Sequence, residues 1–263
     1  MANAEIKAEF FDFDGTLYDG KKQEMPASCV YALKKMREHG IKICLATGRH
    51  IDFLEDASKF FPNFDGYITM NGQAVFDSNR NLLYFKTLDD GDCIILKHMF
   101  KSKQFPIHLE YADKSIINYV DDTVRKANKA ININIPRVRE EFLDEPILMG
   151  VIYCSKREAE VLKGVFDLYQ ITQWNDFGYD LIDKNAGKES AIEPALEHWG
   201  LSTENAIAFG DSDNDLGMMD VCKYSVAMGN AIDECKEVAT FTTTDIDDDG
   251  VYNACVHFGL IEG

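Results

Sequence analysis

The sequence predicts an α/β fold: a doubly wound core with a mostly parallel sheet, interrupted by an inserted α+β domain. Three observations predict it. Short apolar runs of strand length alternate with helix-period stretches near both ends of the chain. Those runs stop at polar, glycine-containing steps: Asp14-Gly15, Thr47-Gly48 and Gly210-Asp211. The middle of the chain lacks such endings and reads as half-buried strands mixed with helices. The expected division is a core of residues 1–81 and 185–263 and an insertion of residues 82–184.

The first strand signal is Ala8-Glu-Phe-Phe-Asp-Phe. A helix follows, with Pro26 at its first turn, Val30, Leu33 and Met36 at helical spacing, and Gly40 as its stop. Ile41-Lys-Ile-Cys-Leu-Ala is the next buried strand, so the two strands of this βαβ unit should be parallel. The same grammar returns near the C-terminus. Lys188 opens a helix whose stripe is Ala191, Ile192, Ala195, Leu196 and Trp199, closed by Gly200. Pro194 lies inside that stripe and should bend the helix or mark its true start. Ala206-Ile-Ala-Phe and Lys223-Tyr-Ser-Val-Ala-Met read as buried strands, and Ala239 to Thr243 as the last. In the insertion, strands are expected at 82–85, 107–111, 147–153 and 179–182, and helices near 90–103 and 156–168.

With 263 residues and 46% hydrophobic side chains the chain can bury a real core. Its formal charge of −18 argues against nucleic acid or an anionic membrane as partner, because the long-range field repels both. The longest nearly apolar run, Ile147 to Cys154, is about half a membrane span. Residues 1–7 show no basic segment leading into an apolar one, so no secretory signal is expected. Seven cysteines, an odd number with no CxxC, sit mostly in apolar runs. They read as reduced core thiols, hence a cytoplasmic protein. Nothing in the sequence specifies an oligomeric state.

The chemistry is expected where strands end. In an open parallel sheet, ligands bind beyond the carboxyl ends of the strands. Asp12 and Asp14 are two apart and share a face if the strand persists; Asp211 and Asp215 share one if a helical turn starts there. Against these four carboxylates stand Lys188 and Arg49, the latter read as a surface or insertion contact. Crowded carboxylates raise one another's pKa unless a cation compensates. An all-oxygen donor set suits a hard divalent ion. Mg²⁺ needs only one or two carboxylates and favours phosphate as co-ligand. Zinc is disfavoured, since the six histidines show no ligand spacing and no cysteine pairs with them. A calcium loop fails as well: counted from Asp211, positions six and twelve are Leu216 and Cys222.

Asp12-Phe13-Asp14-Gly15-Thr16, Thr47-Gly48-Arg49, Lys188 and Gly210-Asp211-Ser212-Asp213-Asn214-Asp215 resemble, in order and spacing, the four motifs of the haloacid dehalogenase superfamily of phosphatases. The insertion, with Ile68 to Gly72 before it and Thr244 to Val251 near the end, resembles the type IIB cap of the Cof-type subfamily. The resemblance implies a Rossmann-like core and a Mg²⁺-dependent phosphomonoester hydrolase acting on a small phosphorylated metabolite, such as a sugar phosphate. Asp12 would be the nucleophile and Asp14 the general acid and base. Mg²⁺ would be held by Asp12, the Asp14 carbonyl and Asp211. Thr47, Gly48, Lys188 and Asn214 would bind phosphoryl oxygens, with Asp215 orienting Lys188 or a metal-bound water. Glu189 stands where relatives have glycine, and Lys184 is a rival phosphate ligand. A phosphomutase or phosphotransferase would share the aspartyl-phosphate, and a non-catalytic metal or phosphate sensor could keep the same core.

Overall fold

The structure, a computed structural model, describes residues 6–263 apart from 62, 132, 166–168 and 184; the side chains of residues 56, 169 and 170 are also outside the description. The reading of the first five residues and the rival ligand Lys184 therefore fall outside the described residues. The chain forms two compact units, one of residues 1–49, 54–84 and 187–263 and the other of residues 50–53 and 85–186.

The first unit begins β1 (Ala8–Phe11), α1 (Ala27–Glu38), β2 (Lys42–Ala46), α2 (Glu55–Phe60), β3 (Gly66–Thr69), β4 (Ala74–Asp77) and β5 (Leu82–Phe85). The second carries α3 (Asp90–Ser102), β6 (Ile107–Glu110), β7 (Ser115–Ile117), α4 (Asp122–Ala130), β8 (Arg137–Val138), β9 (Met149–Tyr153), α5 (Lys156–Lys163), β10 (Tyr169–Gln173) and β11 (Gly178–Asp183). The chain then returns to the first through α6 (Lys188–Trp199), β12 (Ala206–Gly210), α7 (Leu216–Val221), β13 (Tyr224–Ala227), α8 (Asp233–Val238), β14 (Phe241–Thr242) and α9 (Gly250–His257).

The first unit is built on an eight-stranded sheet of order β14-β13-β12-β1-β2-β3-β4-β5. Pairing is parallel from β14 to β3, and β4 turns back antiparallel on β3. This is the doubly wound sheet expected, with β4 as an addition. Helix α1 buries Cys29, Ala32, Leu33 and Met36, spaced three and four apart, and its chain turns at Gly40. Helix α6 buries Ala191, Ile192, Ala195 and Leu196 against Ala8, Phe10, Cys44 and Ala208 of the sheet. It begins at Lys188, so Pro194 lies inside the helix and does not start it. The run Leu82 to Phe85, read as the beginning of the insertion, pairs at the edge of this sheet. Its side chains are mostly exposed, and an edge strand of either domain has that half-apolar pattern.

From β1 the chain winds to one side of the sheet through β2 and β3, and from β12 to the other through β13 and β14. The order therefore reverses between β1 and β12, the position at which open parallel sheets bind ligands beyond the strand ends. Asp12 continues the ladder past β1, its N–H bonded to the Phe209 carbonyl at 2.9 Å, and Asp211 directly follows β12.

Glu9, in the middle of β1, is fully buried beside Ile43 and Ile207. Its carboxylate oxygens have no hydrogen-bond partner among the described residues. Burial pushes its pKa up to about 8 from an ordinary 4.5. The folded carboxyl thus stays protonated over a range where the unfolded one ionises, and stability falls as pH rises through that window. Glu9→Gln should remove this loss. Its stability should match wild type near pH 4.5 and exceed it increasingly towards pH 8, by up to a few kcal/mol as an order of magnitude, with the melting temperature rising in step. Thermal melts across that range check it.

The second unit is a six-stranded sheet of order β10-β11-β9-β6-β7-β8, antiparallel except where β7 pairs with β8. One face packs Ile107, Leu109, Ile152 and Leu181 against Leu96, Met99 and Phe100 of α3 and Ala159 and Leu162 of α5. Helix α4 is capped by Asp121, whose side chain accepts from the N–H groups of Thr123 and Val124. All seven cysteines are free thiols. No helix among the described residues is long and apolar enough to cross a membrane.

Candidate active site

The strand ends of the first unit converge on one ammonium group. Lys188, at the first position of α6, is fully buried; its Nζ donates to Asp12 Oδ1 at 2.5 Å and to Asp215 Oδ1 at 2.7 Å. A lysine at a helix start opposes the helix dipole, and here two carboxylates offset that. The second oxygen of Asp215 accepts from the backbone N–H groups of Asp211 (2.8 Å) and Ser212 (3.0 Å). Both Asp215 oxygens are thus occupied: the residue ties the start of α6 to the loop after β12. Asp211 is fixed from the other side, where Thr16 Oγ1 donates to its Oδ1 at 2.9 Å.

Asp12 is buried, and its Oδ2 has no hydrogen-bond partner among the described residues. Asp12, Asp211 and Asp215 each offer a carboxylate oxygen within 4.8 Å of the others. Three carboxylates against one ammonium leave the cluster short of positive charge. Burial drives the Asp12 carboxyl well above the usual range; Lys188 opposes this, and Asp215 and Asp211 add to it. Burial, helped by Asp215, pushes Asp211 up to about 6. Burial works against the Lys188 ammonium as well, but Asp12 and Asp215 outweigh it and raise its pKa. An unpartnered buried carboxylate oxygen, an all-oxygen donor set and surplus negative charge fit a hard metal cation.

Gly15 makes the approach of these loops possible. Its φ is +97°, and a Cβ there would lie 2.5 Å from Asp211 Oδ2. Gly15→Ala should therefore both strain the backbone and displace Asp211. The expected result is a loss of about 1–3 kcal/mol in stability, with turnover falling at least about tenfold. Melting and turnover measured on one preparation check it.

Asp14 faces a different partner from its neighbour. Arg49 grips it bidentately, Nε to Oδ2 at 2.8 Å and Nη2 to Oδ1 at 2.6 Å. The Arg49 side chain is 5% exposed and lies over the Phe13 ring at 5.0 Å, whereas Asp14 is 45% exposed. The reading of Arg49 as a surface or insertion contact is thereby corrected: it belongs to the strand-end loops of the first unit. Thr47 is buried, and its hydroxyl accepts from the Arg49 N–H at 3.1 Å, with Gly48 between them. Asn214 donates through Nδ2 to Asn71 Oδ1 at 3.0 Å. Asn71 has φ +52° and is followed by Gly72 at +93°, a left-handed turn that aims its side chain at Asn214. Asn71 was legible only as part of a stretch, not as a site residue. Asn230 was not singled out at all; it clamps the loops by donating to the Gly15 carbonyl (2.8 Å) and accepting from Ile246 N–H (2.8 Å).

A reversal of strand order lined by carboxylates around a buried lysine suits a phosphoryl-transfer enzyme. The chain belongs to the haloacid dehalogenase-like hydrolases: the model of that family matches residues 10–255. Among its relatives is the 5-amino-6-(5-phospho-D-ribitylamino)uracil phosphatase YcsE of Bacillus subtilis, 26% identical over 263 residues, covering 98% of this chain and 98% of that one. Among solved structures, the subclass IIB sugar phosphatase BT4131 is similar with a TM-score of 0.86 and 27% identity, over 97% of this chain and 100% of that one. The phosphatase BT1666 of Bacteroides thetaiotaomicron is similar with a TM-score of 0.84 and 26% identity, over 98% and 96%. The protein is a phosphatase of this superfamily.

Proposed function

We propose that this phosphatase is a Mg²⁺-dependent phosphomonoester hydrolase, that it acts on a small phosphorylated metabolite of the sugar phosphate kind, and that Asp12 is its nucleophile. The observation that carries the reading is the state of Asp12: one oxygen held by Lys188, the other without a hydrogen-bond partner among the described residues, at the reversal point of the sheet. Lys188 fixes the carboxylate so that Oδ2 presents a lone pair to phosphorus. Attack forms the Asp12 acyl phosphate and breaks the bond from phosphorus to the ester oxygen. The departing oxygen takes a proton from Asp14. Water then attacks the same phosphorus, gives its proton to Asp14, and inorganic phosphate leaves with the Asp12 carboxylate restored.

Asp14 is the mobile member of this scheme. Both its oxygens accept from Arg49, so it must turn from that clamp to reach a leaving group. Asp12, Asp211 and the Asp14 carbonyl would hold Mg²⁺, which offsets the repulsion between two anions as they meet. Thr47, the Gly48 N–H, Lys188 and Asn214 supply donors for phosphoryl oxygens. Asp215 acts through Lys188, whose ammonium it positions. The second unit, whose main segment is residues 85–186, is taken as the cap that selects the substrate.

A phosphate-release screen over sugar phosphates, nucleotides and cofactor phosphates tests the reading. Turnover is expected with Mg²⁺ and should fall at least about a hundredfold in EDTA. Equal rates with and without the metal overturn it.

A further inference from the structure

The turn that joins β3 to β4 in the first unit is unlike an ordinary hairpin tip. Thr69 lies opposite Ala74, so Met70 to Gln73 form the loop. Met70 and Asn71 both have φ +52°, and Gly72 has φ +93°. Two consecutive non-glycine residues in the left-handed region are strained, and strain of this kind collects at functional sites. Connecting loops normally run over the surface, yet Met70, Asn71 and Gln73 are all buried.

The turn is wedged among three of the polar strand-end segments. Met70 N–H donates to the Arg49 carbonyl and Asn71 N–H to the Thr47 carbonyl, both at 3.1 Å. A Cβ on Gly48, between those two acceptors, would lie 3.0 Å from Asn71 Oδ1. A Cβ on Gly72 would collide with the carbonyl of Gly187, the residue before Lys188. Asn71 Oδ1 accepts from Asn214 Nδ2 at 3.0 Å.

Glycine at position 71 would adopt the same backbone with no Cβ penalty. What asparagine adds is a side-chain oxygen, and that oxygen decides how the Asn214 amide is turned. The other end of the amide, Asn214 Oδ1, accepts from the Ser212 hydroxyl at 3.3 Å. A hydroxyl serves either end of an amide, so Ser212 does not choose between the two orientations. The Asn71 oxygen can only accept, so it requires the Nδ2 end. Phosphoryl oxygens are acceptors too, and a side chain that binds them must present N–H. Nδ2 carries two hydrogens; with one committed to Asn71, the second can serve that role. Turned round, Asn214 would set an oxygen where a donor is needed.

We propose that Asn71 is a positioning residue of the phosphatase reaction: its side-chain oxygen fixes the orientation of the Asn214 amide, and the left-handed turn, bonded to Thr47 and Arg49, holds that oxygen in place. The proposal rests on the reading of Asn214 as a phosphoryl ligand, and the test separates the two.

The variants are Asn71→Gly, Asn214→Ala and the double variant. Each is assayed as the full chain with Mg²⁺ on p-nitrophenyl phosphate and titrated calorimetrically with inorganic phosphate. Asn71→Gly keeps the left-handed backbone, so its melting temperature should stay close to wild type. Its kcat/KM should nonetheless fall about five- to tenfold, and its affinity for phosphate by a similar factor. Asn214→Ala should lose at least as much. The double variant should match Asn214→Ala within about twofold, because Asn71 acts only through Asn214. A role confined to the shape of the turn predicts full activity in Asn71→Gly. That result beside a loss in Asn214→Ala, or losses that add in the double variant, overturns the positioning role alone. No loss in Asn214→Ala overturns the phosphoryl-ligand reading and this proposal with it. If the ester is not turned over, the phosphate titration decides by the same comparisons. Should Asn71→Gly fail to fold, Asn71→Ser, whose hydroxyl falls one bond short of Asn214, takes its place in the cycle.

Discussion

Asp12→Asn should abolish turnover while leaving the fold intact. The amide keeps the shape and the hydrogen-bonding reach of the carboxylate, but it is no nucleophile towards phosphorus. The rate should fall by about 10³-fold or more, at least about 4 kcal/mol of transition-state stabilisation. The variant should also relieve the cluster of a negative charge, so that Lys188 is left with Asp215 and the melting temperature holds or rises. Phosphate release and a thermal melt on the same sample separate the two effects. If the variant keeps more than about a tenth of the wild-type rate, a difference under roughly 1.4 kcal/mol, Asp12 is not the nucleophile.

Lys188→Met should damage both activity and stability. The side chain is fully buried and bridges Asp12 and Asp215, which come from opposite ends of the sequence. Removing one partner of a buried ion pair leaves uncompensated charge and costs about 3–5 kcal/mol. The loss should depend on pH in a set direction. With no ammonium to oppose burial, the Asp12 carboxyl is pushed still further above its usual range in the folded state, while in the unfolded chain it ionises above about pH 4. Stability of the variant should therefore fall further as pH rises from 4 to 8, and the gap to wild type should widen. Denaturant titrations at pH 5 and pH 8 check it; a gap that is equal at both, or narrower at pH 8, sinks the account of Lys188 as the counter-charge of the cluster. Turnover should drop by about 10²–10³-fold, since the same ammonium orients Asp12 and, in the proposed mechanism, meets a phosphoryl oxygen.

The gathering of Asp12, Lys188, Asp211 and Asp215 is legible in the sequence for a physical reason. Buried parallel strands are continuous apolar runs, so a polar residue at their carboxyl end stands out and its place in the fold is known. Other features have no such local mark. The bond between Asn214 and Asn71 spans 143 residues, and the pairing of Asp14 with Arg49 spans 35. A long guanidinium side chain beside a strand end looks, in sequence, like any exposed arginine. Helix α4 is absent from the sequence reading because it buries only Val124, Ala127 and Asn128, too small and polar a stripe to register. Strands β7 and β8, three and two residues long, are below the length at which alternation can be read.

The central pairing of β1 with β12 has a bearing on how the protein is made. Asp12 meets its lysine across 176 positions of chain, and Asp211 is further along still. On the ribosome, residues 85–186 emerge as a complete unit and can fold as soon as they clear the exit tunnel, while β1 waits for a neighbour not yet translated. A nascent polypeptide released before residue 188 has neither the counter-ion of Asp12 nor the strand β12 beside it. On the proposed roles of Asp12 and Lys188, premature termination therefore yields chains unable to hydrolyse phosphate esters, and hydrolytic power arrives only with the last third of synthesis.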